Sequence, residues 1–317
     1  MVDQFVSPRK GEWQRLEQLL ARARRKQMAA LSADEIMEMG YLYRRAVADL
    51  AIARRDLPHD RVCLYLNQLV ARAHGIVYRS EASDWRRILN FFRRGFPALF
   101  RETLPYTALA FAVFMLAALA AFLAVQFVPA SIPYLVPADI LSTVKQQQMW
   151  TENIPLPSSL LAGVIMANNI QVALLAFGGG AFFGLLTFYI MLTNGLSIGA
   201  IGSICATYGL SMRLWSFVAP HGVIELTVIF IAGGCGLRIG HALLRPGLHT
   251  RMDALRQAAH QVVRLLFGCV PLLVIAGTIE GFISPSALPP VAKLAVGALS
   301  AVLLYSYLFL AGRKSAA

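Results

Sequence analysis

The sequence predicts an all-α, polytopic membrane protein preceded by a small water-facing helical bundle, and three observations predict it. Of 317 residues, 57% are hydrophobic and only 15% charged, whereas a soluble chain carries about 25% charged residues. The charge is also unevenly placed. Residues 1–103 hold 19 of the 29 Lys/Arg and 12 of the 17 Asp/Glu, which leaves 10 basic and 5 acidic side chains for the other 214 residues. Apolar runs long enough to cross a bilayer begin only near residue 104. A charged module is thus joined to a long apolar one, and the two face different solvents.

The charged module, residues 1–82, reads as a cytoplasmic helical bundle. Trp13, Leu16, Leu20 and Ala23 recur at helical spacing. Ser32 and Glu35 have the spacing of a capping box, and behind them Ile36, Met39, Tyr43, Val47 and Leu50 form an apolar stripe that stops at Leu57-Pro58. A third helix carries Val62, Leu66, Leu69, Ala73 and Ile76. Arg44, Arg45, Arg54 and Arg55 fall beside these stripes, on what is expected to be a solvated face with room for a partner.

Residues 83–101 are expected to lie in the headgroup layer as an amphipathic helix. Trp85, Ile88, Leu89, Phe92 and Phe96 can face one way while Arg86, Arg87, Arg93 and Arg94 face anionic lipid headgroups. The transmembrane domain, residues 102–317, then offers about six spans: 104–128, 168–192, 195–210, 214–237, 262–283 and 291–310. The third is short and either crosses or re-enters. A polar stretch around Lys145–Glu152, followed by Pro155 and Pro157, reads as an external loop with room for a short interfacial helix.

Orientation follows from the basic residues. Six crossings put the basic loop 238–264, Arg313 and Lys314 on the side of the N-terminal region, and leave Lys145 and Arg213 outside. The positive-inside bias then places both termini in the cytoplasm and the chain in the inner membrane. The net charge of +12 is accounted for by the same bias, so no nucleic-acid partner is expected. The first apolar run starts too late for a secretory signal, so the first span is expected to serve in targeting. Cys63, Cys205, Cys235 and Cys269 lack metal-ligand spacing and read as small buried hydrophobes.

Two sets of residues stand out within the spans. Glycine pairs four apart occur as Gly180/Gly184, Gly195/Gly199, Gly236/Gly240 and Gly277/Gly281. Such pairs let helix backbones approach closely, within one chain or across a homodimer face. The second set is polar. Only two carboxylates fall inside the expected spans, Glu225 and Glu280, where an isolated charge costs several kcal/mol. His221 stands four residues before Glu225 and hence on the same helix face, and Pro220 and Gly222 weaken that helix. Asn169 and Asn194 add amides near the ends of the second span. Three readings stay open: a polar network locking the helices, a substrate or proton path, and a metal site of His221, Glu225 and Glu280. The helical zinc-protease signature, a phosphate-binding loop, a dinucleotide fingerprint and a Ser-His-Asp set in recognisable context are all missing, so no catalysis, cofactor or resident metal is expected.

At these residues the chain resembles the stage II sporulation protein M family. The resemblance rests on Leu-Tyr-Arg-Arg-Ala-Val-Ala-Asp-Leu-Ala (42–51), Tyr-Leu-Asn-Gln-Leu-Val-Ala-Arg-Ala-His (65–74) and Asn-Asn-Ile-Gln-Val-Ala (168–173). It continues through Asn194-Gly195, Pro-His-Gly-Val-Ile-Glu (220–225) and Ala-Gly-Thr-Ile-Glu-Gly (276–281). It implies a membrane component that assembles with peptidoglycan-degrading partners during engulfment. The long N-terminal region looks like the broader branch found in cells that form no spores, where a MoxR-type ATPase is a partner by analogy.

These readings converge on a non-enzymatic envelope scaffold that recruits other envelope proteins as a homodimer. The rival is a permease subunit resembling ABC-2-type exporters, energised by a separate ATPase. An intramembrane metallo-hydrolase comes third.

Overall fold

Every regular element among the described residues is a helix. The computed structural model describes residues 2–26, 31–58, 60–77, 84–149 and 158–313. The expected domain boundary at 82/83, Glu152, Pro155, Pro157 and Lys314 lie outside them. The chain divides into two compact units, Met1–Asp84 and Trp85–Ala317.

In the first unit a short α1 (Val2–Val6) precedes three longer helices, α2 (Lys10–Lys26), α3 (Ala33–Asp56) and α4 (Arg61–Val77). The capping box is made at the start of α3: the Glu35 backbone N–H donates to Ser32 Oγ, and the Ser32 backbone N–H donates to the Glu35 carboxylate. The stripes on α2 and α4 fill the core with Trp13, Leu16, Leu20, Val62, Leu66 and Leu69. Full burial of each such side chain contributes about 1.5–3 kcal/mol.

On α3 the buried face is rotated from the expected one. Met39, Leu42, Ala46, Leu50 and Ala53 are buried, while Ile36 and Val47 are exposed. Asp49 explains the rotation. It is drawn into the core by the Trp13 indole, whose Nε1 donates to Oδ2 at 2.9 Å, and by Arg9, whose Nε donates to Oδ1 at 3.0 Å. A buried charge-assisted hydrogen bond outweighs one exposed Val. Arg45 is not merely solvated: it pairs with Glu12 across to α2 at 2.8 Å.

The second unit opens with α5 (Asp84–Asn90), a π-helical turn (Phe91–Gly95) and α6 (Phe96–Glu102). The π turn shifts the helix face by one residue, and the segment divides there. Trp85, Ile88 and Leu89 stay exposed, whereas Phe96, Leu99 and Phe100 enter the bundle core. Among the described residues, six helices are long and apolar enough to span a membrane. They belong to α7 (Leu104–Phe127), α10 (Ser158–Gly178) with the 3-10 turn that follows it, α11 (Leu185–Thr207), α12 (Ser211–Leu244), α13 (Arg251–Phe282) and α14 (Pro290–Leu310). This is an all-α, multi-pass membrane protein.

Between α7 and α10 a 3-10 turn (Pro129–Ser131), α8 (Ile132–Leu135) and α9 (Ala138–Lys145) cover one end of the bundle. Val136, Val144 and Met149 are buried there against Val125, Ile204 and Leu214.

The second and third spans part elsewhere than expected. Their break is at the 3-10 turn Gly179–Phe182 and at Phe183 and Gly184, both with positive φ. Asn194-Gly195 lies inside α11, so the third span is a full helix of 23 residues. Thr193 and Asn194 donate to the carbonyls of Tyr189 and Ile190 one turn back, which satisfies them without ending the helix. Three consecutive glycines, Gly178 to Gly180, do end one.

The segment 238–264 is also not a loop. α12 continues to Leu244 and α13 begins at Arg251. At 1.5 Å per residue, the 34 residues of α12 run about 51 Å, well beyond a hydrocarbon core of about 30 Å. The excess of both helices forms a basic hairpin in which Ala242, Ala254 and Ala258 pack together.

α12 is the axis of the bundle: 78% of its most apolar window is buried, against 39% or less in the other spans. Glycines let its neighbours come close. A Cβ on Gly180 would stand 2.5 Å from the Gly236 carbonyl oxygen, and one on Gly240 would stand 2.5 Å from the Gly184 nitrogen. Gly195 and Gly199 of α11 press on the backbone of Phe114 and Ala118 in α7.

Candidate functional site

The polar residues of the spans gather around the end of α12 nearer its start. Pro220 lies within the helix and has no N–H to give the carbonyl four residues back, which loosens that turn. α14 closes on the same turn, for a Cβ on Gly297 would stand 2.6 Å from the Ala219 carbonyl oxygen.

His221 follows, 3% exposed. Its Nδ1 shares a 2.9 Å hydrogen bond with Ser284 Oγ, just beyond the end of α13. The Ser284 carbonyl accepts from Lys293 Nζ at 2.6 Å. One serine therefore joins the α12 histidine to the α14 lysine.

One turn deeper, Glu225 is 2% exposed and accepts a hydrogen bond from Asn169 Nδ2 of α10 on Oε2. Its Oε1 is buried without a partner among the described residues. Glu280 of α13 is 1% exposed, and neither of its oxygens has one. It stands at the depth of Glu225 on the antiparallel neighbour, four residues before Ser284 as Glu225 is four after His221. Two residues on, and on another face of α12, Thr227 is hydrogen-bonded to Tyr305 of α14 at 3.0 Å.

Of the five polar residues singled out from sequence, the structure brings Asn169, Glu225 and Glu280 together, with His221 a turn away on α12. Asn194 is elsewhere: it sits within α11 and bonds to its own helix, not at the end of the second span. Ser284, Lys293, Thr227 and Tyr305 went unnoticed in the sequence. Lys293 carried a usable signal, as a lone cation just inside an apolar span. The hydroxyl groups carried none.

Among the described residues no three His, Cys, Asp or Glu side chains converge as a metal-ion set. His221, which the sequence grouped with Glu225 and Glu280 as metal ligands, has its Nδ1 engaged by Ser284. Of the eight glycines, Gly281 meets open space, while the other seven lie against atoms of this chain, Gly277 against Met166 of α10. Seven of the eight thus serve packing within one chain.

At the opposite end of the spans, basic residues meet aromatic and carbonyl groups. Arg101 Nη1 donates to the carbonyls of Leu308 and Ala311 at 2.9 Å each and so ties down the end of α14. Arg238 lies 5.7 Å from the centre of the Tyr106 ring, and the Tyr106 hydroxyl bonds to His241 Nδ1. Trp85 is 70% exposed, and Arg86, Arg87, Arg93 and Arg94 are exposed beside it.

A family model described as stage II sporulation protein M matches residues 110–285. Another, described as a domain of unknown function (DUF8413), matches residues 3–79. An uncharacterized protein of Methanocaldococcus jannaschii is 30% identical over 123 residues, which cover 38% of this chain and 69% of its own length. No solved structure matches. Asn169, His221, Glu225 and Glu280 all lie within the first match. With more than half of its length matched, from within α7 to just past α13, the chain belongs to the stage II sporulation protein M family.

Proposed function

We propose that the chain is an integral scaffold of the cell envelope, which recruits partner proteins and catalyses nothing itself. It sits in the cytoplasmic (inner) membrane with both termini cytoplasmic. The observation that carries this reading is the backbone-to-backbone packing of α7 on α11 and of α12 on the turn between α10 and α11. Spans joined at glycine crossings resist the rocking that alternating access requires. The orientation is supported by the clustering of Arg101, Arg238, Arg245, Arg251, Arg256 and Arg264 toward one end of the spans. Exposed Trp85, beside Arg86 and Arg87, suits an anionic headgroup layer.

Affinity purification from native membranes in gentle detergent, with mass spectrometry of co-eluting proteins, tests the reading. Cell-wall enzymes or other envelope proteins in stoichiometric amount, without an ABC-type ATPase, support it. A stoichiometric ABC-type ATPase overturns it in favour of the permease.

That permease reading has one observation of its own. Buried carboxyls without partners inside spans mark ion and substrate paths in membrane proteins, and here three carboxyl oxygens are in that state. It requires a solute flux that a folded Glu225→Gln/Glu280→Gln variant abolishes.

A further inference from the structure

Three buried oxygens on two neighbouring carboxyls call for an explanation, because buried polar groups are almost always paired. Glu225 Oε1 and both oxygens of Glu280 have no partner among the described residues, and each side chain is at least nine-tenths buried. The His221–Ser284 bond sets α12 and α13 in a register that places Glu225 and Glu280 at one depth; two carboxylates so placed repel each other, and in hydrocarbon each also forfeits its hydration.

Among the described residues, none places a counter-charge on these oxygens. On α12 itself the nearest titratable group is His221, engaged with Ser284. α10 brings Asn168 and Asn169 and no charged side chain. From α14 come Lys293, held on the Ser284 carbonyl and not on either carboxyl, and Tyr305, held on Thr227. α7 and α11 contain no Asp, Glu, Lys, Arg or His. One hard monovalent cation would relieve the repulsion by cancelling one of the two charges, and would give bare carboxyl oxygens a partner. It would lie against carboxyl oxygens, with the Asn169 amide beside them. A divalent ion is less suited, since no third acidic or imidazole ligand converges there.

We propose that Glu225 and Glu280, assisted by Asn169, form a site for a single small monovalent cation, a proton or Na⁺, where α10, α12 and α13 meet. Occupancy ties the three helices together by cancelling one of the two negative charges between them. The site does not depend on the scaffold reading, since it needs no partner protein.

The test is thermal unfolding of the purified full-length protein in lipid nanodiscs, at constant ionic strength with choline replaced by Na⁺, over roughly pH 5 to 8. If Na⁺ is the ligand, the melting temperature rises saturably with Na⁺ at the alkaline end, and the rise fades on acidification as protons take the site. If only protons bind, melting depends on pH and is indifferent to Na⁺. In either case the dependence is lost in Glu280→Gln and in Glu225→Gln, where a neutral amide replaces the carboxyl.

Wild-type protein indifferent to both ligands overturns the proposal, whatever the variants do. So does a dependence that survives unchanged in both glutamine variants, or one that disappears only in His221→Gln. Should the amide variants fail to fold, Glu280→Asp keeps the charge but withdraws it by one methylene. It must raise the half-saturating Na⁺ concentration, or shift the pH midpoint if only protons bind. An unchanged response in that variant overturns the assignment equally.

Discussion

Gly199 of α11 rests on the backbone of Ala118 in α7 so closely that a Cβ would run into the Ala118 carbonyl group. The obstacle is main chain in a packed helix, which cannot swing aside as a side chain can. Gly199→Val is therefore expected to separate α7 from α11 and to destabilise the membrane unit by about 1–3 kcal/mol. A lower melting temperature in nanodiscs checks this. Gly281→Ala is the matched control, since nothing lies within 4 Å of the added methyl, and it is expected to leave melting unchanged.

Asp49 is buried and satisfies both the Trp13 indole and Arg9. Asp49→Ala leaves a buried indole N–H without its acceptor, at a cost of about 1–3 kcal/mol. The first unit has its own core, so residues 1–84 expressed alone are expected to fold cooperatively. Urea titration followed by circular dichroism reads both the wild-type transition and its shift to lower urea in the variant.

The same fragment is expected to lose stability in acid. The backbone N–H of Ser32, and then Arg22, hold the Glu35 carboxyl below the usual range. A hydrogen bond from Arg15 does the same for Glu38. A carboxyl that titrates lower when folded stabilises the fold above its unfolded value and loses that contribution as pH falls through its folded value. The decline therefore begins near the ordinary glutamate value of 4.5 and deepens below it. Glu35→Gln, which removes the titrating carboxyl, should flatten that part of the pH profile.

The helical hairpin beyond the membrane makes a topological prediction. Cysteines placed at Gln257 or His260, in the polar first half of α13, should react with a membrane-impermeant maleimide only when the reagent reaches the cytoplasmic face. A cysteine at Tyr134, 90% exposed in α8, should react from the opposite side. Native Cys205, Cys235 and Cys269 are buried and should contribute little background. Reactivity of both probes from one side would contradict the proposed orientation.

Much of the architecture was legible in the residue order. Long apolar runs marked six spans, because hydrocarbon tolerates neither frequent charges nor unpaired backbone. Boundaries were less legible. The break between the second and third spans was sought at Asn194-Gly195, whose amide in fact bonds to its own helix at Ile190, and it was found after Gly178. The buried face of α3 was misjudged because hydrophobic spacing alone could not anticipate that Asp49 would turn inward toward Trp13.

The site divides in the same way. That Glu225, Glu280 and His221 are costly inside a membrane follows from their chemistry alone, and the sequence by itself determined that they stand within apolar spans. Only tertiary structure decided that Asn169 meets Glu225, that Ser284 takes the His221 nitrogen, and that three carboxyl oxygens are left without partners. Hydrophobicity is a local property that each segment displays on its own. A hydrogen bond between helices 50 or more residues apart depends on crossing angle and depth, and these are set by which glycines let which backbones touch.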